Sequence, residues 1–420
     1  MNSLLVGKMT KRRPWWLESF KGWSYVAYEM LFQKMCTWHL KNPLPLPCLK
    51  NINSIVTGCT SGIGLEIAKQ LAFSGAHVVM AVRNISSAYE LVQNWHDELQ
   101  EEWYGTSTLS IEVLELNLLS LNSVIHFAKK WNSNSKPLNI LVNNAGIFSL
   151  GEAQKFSKDG FETHMQVNHF APALLSILLL PSMISNGSSL RRIINVNSSL
   201  HKMGFVNIDD MNFVLNKPRF TSTKAYSNSK LAQVMFSGIL QRHLTFQSGV
   251  SVVCVSPGSV RTNVTRGLPE IIKLAHNCIP YFPFSPRQGA RSALFAATDT
   301  KIPQYCKQLK IKEPPFGVYI SLKCNLVRPS RKARNLFVAN AVWKRTLDMI
   351  GLPLDVVERI LKGEKVMSCL YKNVSACVHI QNESSSVLIR NESASVHIRN
   401  ESASVHMLNE SVLYQLRMNL

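Results

Sequence analysis

Ser54-Ile-Val-Thr57 runs without a break into Gly58-Cys-Thr-Ser-Gly62-Ile-Gly64, and these eleven residues decide the fold. The short apolar run reads as a buried strand, and a helical stretch, 64–74, opens at its last glycine. Glycines at 58, 62 and 64 permit a tight turn and let the backbone approach a ligand closely. A helix N-terminus at that point supplies N–H groups and the positive end of a dipole, which together suit a pyrophosphate.

The same rhythm continues outward. Residues 77–82, 111–116, 138–142, 192–196 and 250–255 are β-rich runs, each separated from the next by at least one helical segment. Regular alternation of this kind means parallel pairing through right-handed crossovers, with helices on both faces of one sheet. A doubly wound α/β domain is therefore expected over 51–300. Residues 1–50 form an N-terminal extension, and 301–363, with a helical stretch at 333–349, read as a helical cap.

The second strand ends Ala81-Val82-Arg83-Asn84, with no acidic residue between Val78 and Tyr89. A carboxylate there would accept from a ribose 2′-OH, whereas an arginine suits a 2′-phosphate, so Arg83 points to NADP(H). Tyr226 and Lys230 stand four residues apart and share one helix face. A phenol of pKa about 10 is a poor acid-base group at neutral pH, but a neighbouring ammonium, helped by the positive charge of an oxidised nicotinamide, is expected to lower it. It could then exchange a proton with a carbinol oxygen.

With these in view the chain resembles the short-chain dehydrogenases/reductases. Thr57-Gly58-Cys-Thr-Ser61-Gly62-Ile63-Gly64 resembles the family's cofactor turn, Asn143-Asn144-Ala145-Gly146 its NNAG strand end, and Tyr226 with Lys230 its active-site pair. Ser198 matches its catalytic serine, Asn168 the helix asparagine of its tetrad, and Pro257-Gly258-Ser-Val260-Arg-Thr262 its PGxxxT segment. Val-Arg-Asn after the second strand, Asn-His at 168–169 and the long interval from Ser198 to Tyr226 resemble the retinol-dehydrogenase-like and WW-domain-oxidoreductase-like branch, and the whole resembles plant Forever Young oxidoreductases. The resemblance implies a Rossmann fold, NADP(H) and interconversion of an alcohol and a carbonyl. It implies that Ser198 holds the substrate oxygen, Tyr226 exchanges the proton, Lys230 binds the nicotinamide ribose and tunes Tyr226, and Asn168 positions a relay water. It extends cofactor contact to Asn117 and Leu118.

Two positions depart from the family pattern. Asn117 stands where an aspartate near the adenine is usual, and Asn197 replaces the first serine of a Ser-Ser pair. The aromatics Phe205, Phe213, Phe220, Tyr281, Phe282 and Phe284 suggest an apolar substrate pocket, or equally a packing role. Two other readings compete. One is an idle NADP-binding scaffold or regulatory protein of the same fold. The other is a sugar-nucleotide epimerase or dehydratase, whose glycines are spaced TGxxGxxG, unlike these.

Charge bears on partners. The net charge is +20, yet residues 51–300 hold 20 Lys+Arg against 15 Asp+Glu, so most of the excess lies in the flanks. A nucleic-acid groove would concentrate it, and none is expected. Nine scattered cysteines form no CxxC pair and no spacing with histidine that would hold zinc, so no metal site is expected and the thiols read as reduced. No continuous apolar stretch reaches membrane-spanning length, and the first residues do not read as a secretory signal. An intracellular chain is expected, cytoplasmic or peripheral on an organelle membrane.

Residues 1–50 interleave Trp15, Trp16, Phe20, Trp23, Tyr25, Tyr28, Phe32 and Trp38 with basic residues. They read either as an amphipathic segment on an anionic membrane or as a helix packing its aromatic stripe on the neighbouring domain. Asn373, Asn382, Asn391, Asn400 and Asn409 open repeats of period nine. An odd period sends successive units of a strand to opposite faces, so 364–420 reads as a flexible tail without a role in chemistry.

Overall fold

The computed structural model describes residues 24, 28–29, 31–102, 109–184, 190–215, 220–261, 283–311 and 317–364. All belong to one compact unit, 1–371; a second unit, 372–420, and with it nearly all of the repeat tail, lies outside the described residues.

Seven strands form one sheet: β1 (Asn53–Thr57), β2 (His77–Val82), β3 (Ile111–Glu115), β4 (Ile140–Asn143), β5 (Arg192–Val196), β6 (Ser251–Val255) and β7 (Val318–Ile320). Their order is β3-β2-β1-β4-β5-β6-β7, and every neighbouring pair is parallel. This is the expected doubly wound α/β architecture of Rossmann type. Ile55, Val56, Val79, Ile193 and Val253 are fully buried because helices cover both faces. Register fixes the strand ends level: Thr57 pairs Ala81, and Asn143 pairs Asn195.

The helices used below are α1 (Gly62–Phe73), α2 (Ile85–Glu102), α3 (Leu121–Ser133), α4 (Ala171–Leu178), α5 (Ser222–His243), α6 (Pro286–Thr298), α7 (Ile302–Ile311) and α8 (Leu336–Met349). A π-helical turn, Gln166–Phe170, leads directly into α4 and carries Asn168.

The structure departs from expectation in two places. The sheet does not stop at residue 300: β7 comes from the segment read as a cap and pairs with β6 from Val253↔Val318 to Val255↔Ile320. Three buried residues are too short a run to stand out in a sequence. The second departure is the N-terminal helix, described at 24, 28–29 and 31–36. Glu29 and Gln33 of the helix and Thr37 of the turn that follows are buried, while Tyr28, Phe32 and, in that turn, Trp38 are exposed. The reading in which the aromatic stripe packs on the domain fails for these three. Trp15, Trp16, Phe20, Trp23 and Tyr25 lie outside the described residues. Among the described residues no helix is long and apolar enough to cross a membrane.

Candidate active site

A crevice of about 510 Å³ opens along the carboxyl ends of β1 and β4, where the strand order reverses. One wall is the glycine turn. Gly58 and Gly62 adopt φ of +62° and +61°, a region that L side chains rarely enter. A Cβ on Gly64 would lie 2.2 Å from Asn144 Nδ2 and 2.6 Å from the Gly58 carbonyl oxygen. Asn144 Nδ2 donates to the carbonyls of Thr57 (2.9 Å) and Gly58 (3.1 Å), and the Asn144 and Ala145 N–H groups both donate to Thr57 Oγ1 at 3.0 Å. The NNAG segment is thereby stapled to the turn. Ser61, the N-cap of α1, makes no side-chain cap bond, and Ser61, Gly62 and Ile63 line the crevice. Their end of the helix offers N–H groups without intrahelical acceptors, so the wall suits a pyrophosphate.

Arg83, Asn84, Asn117 and Leu118 line the far end of the crevice. Arg83 is exposed. Asn117 Oδ1 accepts from the Leu119 N–H at 3.1 Å, so this oxygen serves its own turn. No acidic residue lines the crevice among the described residues; its cations are Arg83 and Lys230.

Helix α5 brings Tyr226 and Lys230 to the crevice floor beside Ser198. Lys230 Nζ donates to the Val196 carbonyl at 2.9 Å and stands 5.8 Å from the centroid of the Tyr226 ring. Phe148, which motif reading missed, stacks on Tyr226 with ring centroids 4.4 Å apart. Burial pushes the Tyr226 phenol up to about 12, opposed by its hydrogen bond with Ser198. Within the protein alone, desolvation sets the direction of this shift. Burial also pulls Lys230 down to about 8.

The two asparagines near the floor are structural hubs. Asn168 Oδ1 accepts from the Ile147 N–H (2.8 Å), and its Nδ2 donates to the Ile147 carbonyl and to Ser229 Oγ, both at 3.0 Å. The Asn168 carbonyl accepts from Gln233 Nε2 at 3.0 Å. Asn197 Nδ2 donates to the Lys230 carbonyl and to Gln233 Oε1, each at 2.9 Å. This buried amide fixes the α5 backbone at the lysine, which a serine could not reach with two donors.

The opposite wall is Pro257, Gly258, Ser259 and Val260. Gln33 grips it from the N-terminal helix: Nε2 donates to the Ser259 carbonyl (2.8 Å), and the Ser259 N–H donates to Oε1 (2.9 Å). Gly258, at φ +81°, leaves room for this, since a Cβ there would lie 2.7 Å from Gln33 Oε1. Two anchors flank the grip. Arg291 of α6 donates to Thr37 Oγ1 (3.3 Å) and to the Leu40 carbonyl (3.4 Å), and Glu29 is held by Ser199, with burial raising its carboxyl pKa. The spacing of Glu29, Gln33 and Thr37 was a readable signal, but nothing in the sequence says that this polar face turns inward. Thr262 lies outside the described residues. Phe205, Phe213, Phe220 and Phe284 do not line the crevice, and Phe205 is largely exposed while Phe284 is buried beneath Arg291. Tyr281 and Phe282 lie outside the described residues.

The short chain dehydrogenase family matches residues 53–210. The chain is 52% identical over 362 residues to the Arabidopsis thaliana dehydrogenase/reductase SDR family member FEY, covering 86% of this chain and 94% of that one. It is 31% identical over 327 residues to retinol dehydrogenase 11 of Mus musculus, covering 78% and 93% respectively. A crystal structure of an uncharacterized protein from Mycobacterium Paratuberculosis superposes with a TM-score of 0.54 at 28% identity, covering 72% of this chain and 95% of that one.

Proposed function

Since the chain belongs to the short-chain dehydrogenase/reductase family and is an oxidoreductase using a nicotinamide dinucleotide, we propose that it interconverts an alcohol and a carbonyl on an apolar substrate with NADP(H). The observation that carries this reading is the convergence of Tyr226, Ser198 and Lys230 on the crevice that begins at the α1 N-terminus. The bound dinucleotide supplies or accepts the hydride. Gly58, Ser61, Gly62, Ile63 and Gly64 would hold its pyrophosphate, and Arg83 its 2′-phosphate. Asn117 and Leu118 would lie by the adenine. Asn144, Ala145, Gly146, Pro257, Gly258, Val260 and Thr262 would enclose the nicotinamide end.

In the reducing direction Tyr226 works as an acid. A phenol with a pKa near 12 keeps its proton through neutral pH, which is the form able to protonate a carbonyl oxygen. Ser198 holds that oxygen by hydrogen bonding. Lys230, still mostly charged at pH 7, donates to the nicotinamide ribose and lowers the cost of the phenolate left behind. Asn168 acts by position, through Ile147 and Ser229. Two features support the choice of NADP(H): Arg83 at the end of β2, and a crevice lining without a carboxylate among the described residues. The retinol dehydrogenase relative, named for a lipophilic alcohol, and Phe148 over Tyr226 support an apolar substrate.

The test uses the full chain, NADPH and a panel of apolar aldehydes. Tyr226→Phe is expected to lower kcat by about 10²–10⁴ while NADPH fluorescence titration gives an unchanged Kd. Turnover at the parent rate overturns the proposal. Arg83→Ala should weaken NADPH about tenfold or more and leave NADH nearly unaffected, as expected for loss of a charge-assisted phosphate contact. Equal weakening of both argues against NADP(H).

A further inference from the structure

Among its described residues from 28 onward, the N-terminal helix is inverted: its buried side chains are polar, and its large exposed ones are apolar. Glu29, Gln33 and Thr37, at i, i+4 and i+8, are buried. Tyr28, Leu31, Phe32 and Met35, at i, i+3, i+4 and i+7, form one outward stripe, with exposures of 55%, 54%, 39% and 69%. Trp38, 83% exposed, extends it past the last helical residue. Five of the 13 large apolar side chains exposed among the described residues fall within 28–38. Elsewhere exposed apolar residues are scattered; here they are contiguous, and a contiguous patch marks an interaction surface.

The surroundings of the stripe identify its occupant. Among the described residues up to 50, Glu29 is the only acid, and it is turned inward; Lys34, Lys41 and Lys50 lie on the same segment. Residues 1–50 as a whole hold 8 Lys+Arg against 2 Asp+Glu. An apolar helix face with Tyr and Trp, on a segment whose described residues carry lysines and no exposed carboxylate, complements the boundary between acyl chains and anionic headgroups. A protein partner would more often require hydrogen-bonding groups on such a face. The inner side of the helix is fixed to the domain through Gln33 on Ser259 and through Arg291 on Thr37 and Leu40, so the outward side has a fixed orientation before any contact. We propose that the Tyr28, Leu31, Phe32, Met35 and Trp38 face docks the protein peripherally on an anionic lipid bilayer.

The experiment is co-sedimentation of the full chain with vesicles of phosphatidylcholine and phosphatidylglycerol in equal parts, against vesicles of phosphatidylcholine alone. The parent is expected in the pellet with anionic vesicles, less so with neutral ones, and progressively released by salt. The triple variant Leu31→Ser, Phe32→Ser, Met35→Ser should lose binding by about tenfold or more, from the area of apolar surface removed. Trp38→Ser, at a site too exposed to disturb folding, should lose several-fold by itself, so the proposal stays open to failure even if the triple variant distorts the helix. Parent protein remaining in the supernatant overturns the proposal, as do variants that sediment like the parent. Light scattering provides a further arm: a dimeric parent that becomes monomeric in the triple variant would mean that a second copy covers the face, which also overturns it.

Discussion

The two walls of the crevice are built in different ways. On one side, the turn at Gly58–Gly64 is held by Thr57 and Asn144, residues at the ends of the adjacent parallel strands β1 and β4, so strand register alone brings the parts together. On the other side, Ser259 is held by Gln33, 226 residues away in sequence, reaching in from a helix outside the core. The first wall is formed with the sheet. The second depends on a separate segment docking by its polar face, so it can be loosened without unfolding the domain.

Two substitutions test that contrast, and a pH profile tests the floor between the walls. The largest effect is expected for Gly64→Ala. Its Cβ would fall 2.6 Å from the Gly58 carbonyl oxygen, a backbone atom rather than the end of a flexible side chain, and overpacking of this kind costs about 1–3 kcal/mol. Urea unfolding should show that loss, together with abolished dinucleotide binding; a stable, binding-competent variant would mean the near wall is not rigid. Gln33→Ala comes next. Removing two hydrogen bonds to Ser259 should raise the KM for the dinucleotide about five- to tenfold, with a much smaller change in kcat and in the urea midpoint. An unchanged KM would show that the far wall holds itself and that the contrast is false.

The smallest effect concerns pH. Lys230 is charged below about 8 and neutral above it, since burial lowers its pKa. If Lys230 holds the ribose as proposed, dinucleotide binding should therefore weaken as pH rises from 7 to 9, by a factor of a few in Kd, and Lys230→Met should flatten the profile. A parent profile as flat as that of the variant would remove Lys230 from the binding site.

How much of this could be read in the sequence follows the same division. Strands 77–82 and 192–196 agree with expectation to the residue, because apolar runs buried on both faces leave little choice of boundary. The glycine turn was legible because its chemistry is compressed into eight consecutive residues. The inverted helix was not. Periodicity separates two faces of a helix but does not say which one meets the protein, and an aromatic stripe invites the wrong choice. The surroundings of the tyrosine were half legible for a related reason: the neighbouring lysine is visible in the spacing, whereas the burial that raises the phenol's pKa, and Phe148 stacked on its ring, are set by parts of the chain distant in sequence. Of the aromatics counted along 205–284, the four that are described, Phe205, Phe213, Phe220 and Phe284, do not line the crevice, since their direction depends on loops rather than on a repeating element.

The short seventh strand has a practical side. It shields the backbone of β6 along Val253–Val255, and residues beyond 300 alone provide it. A protein trimmed at 300 would keep every motif that can be recognised by eye, yet it would present a raw, valine-rich ribbon to its neighbours in solution, an invitation to clump.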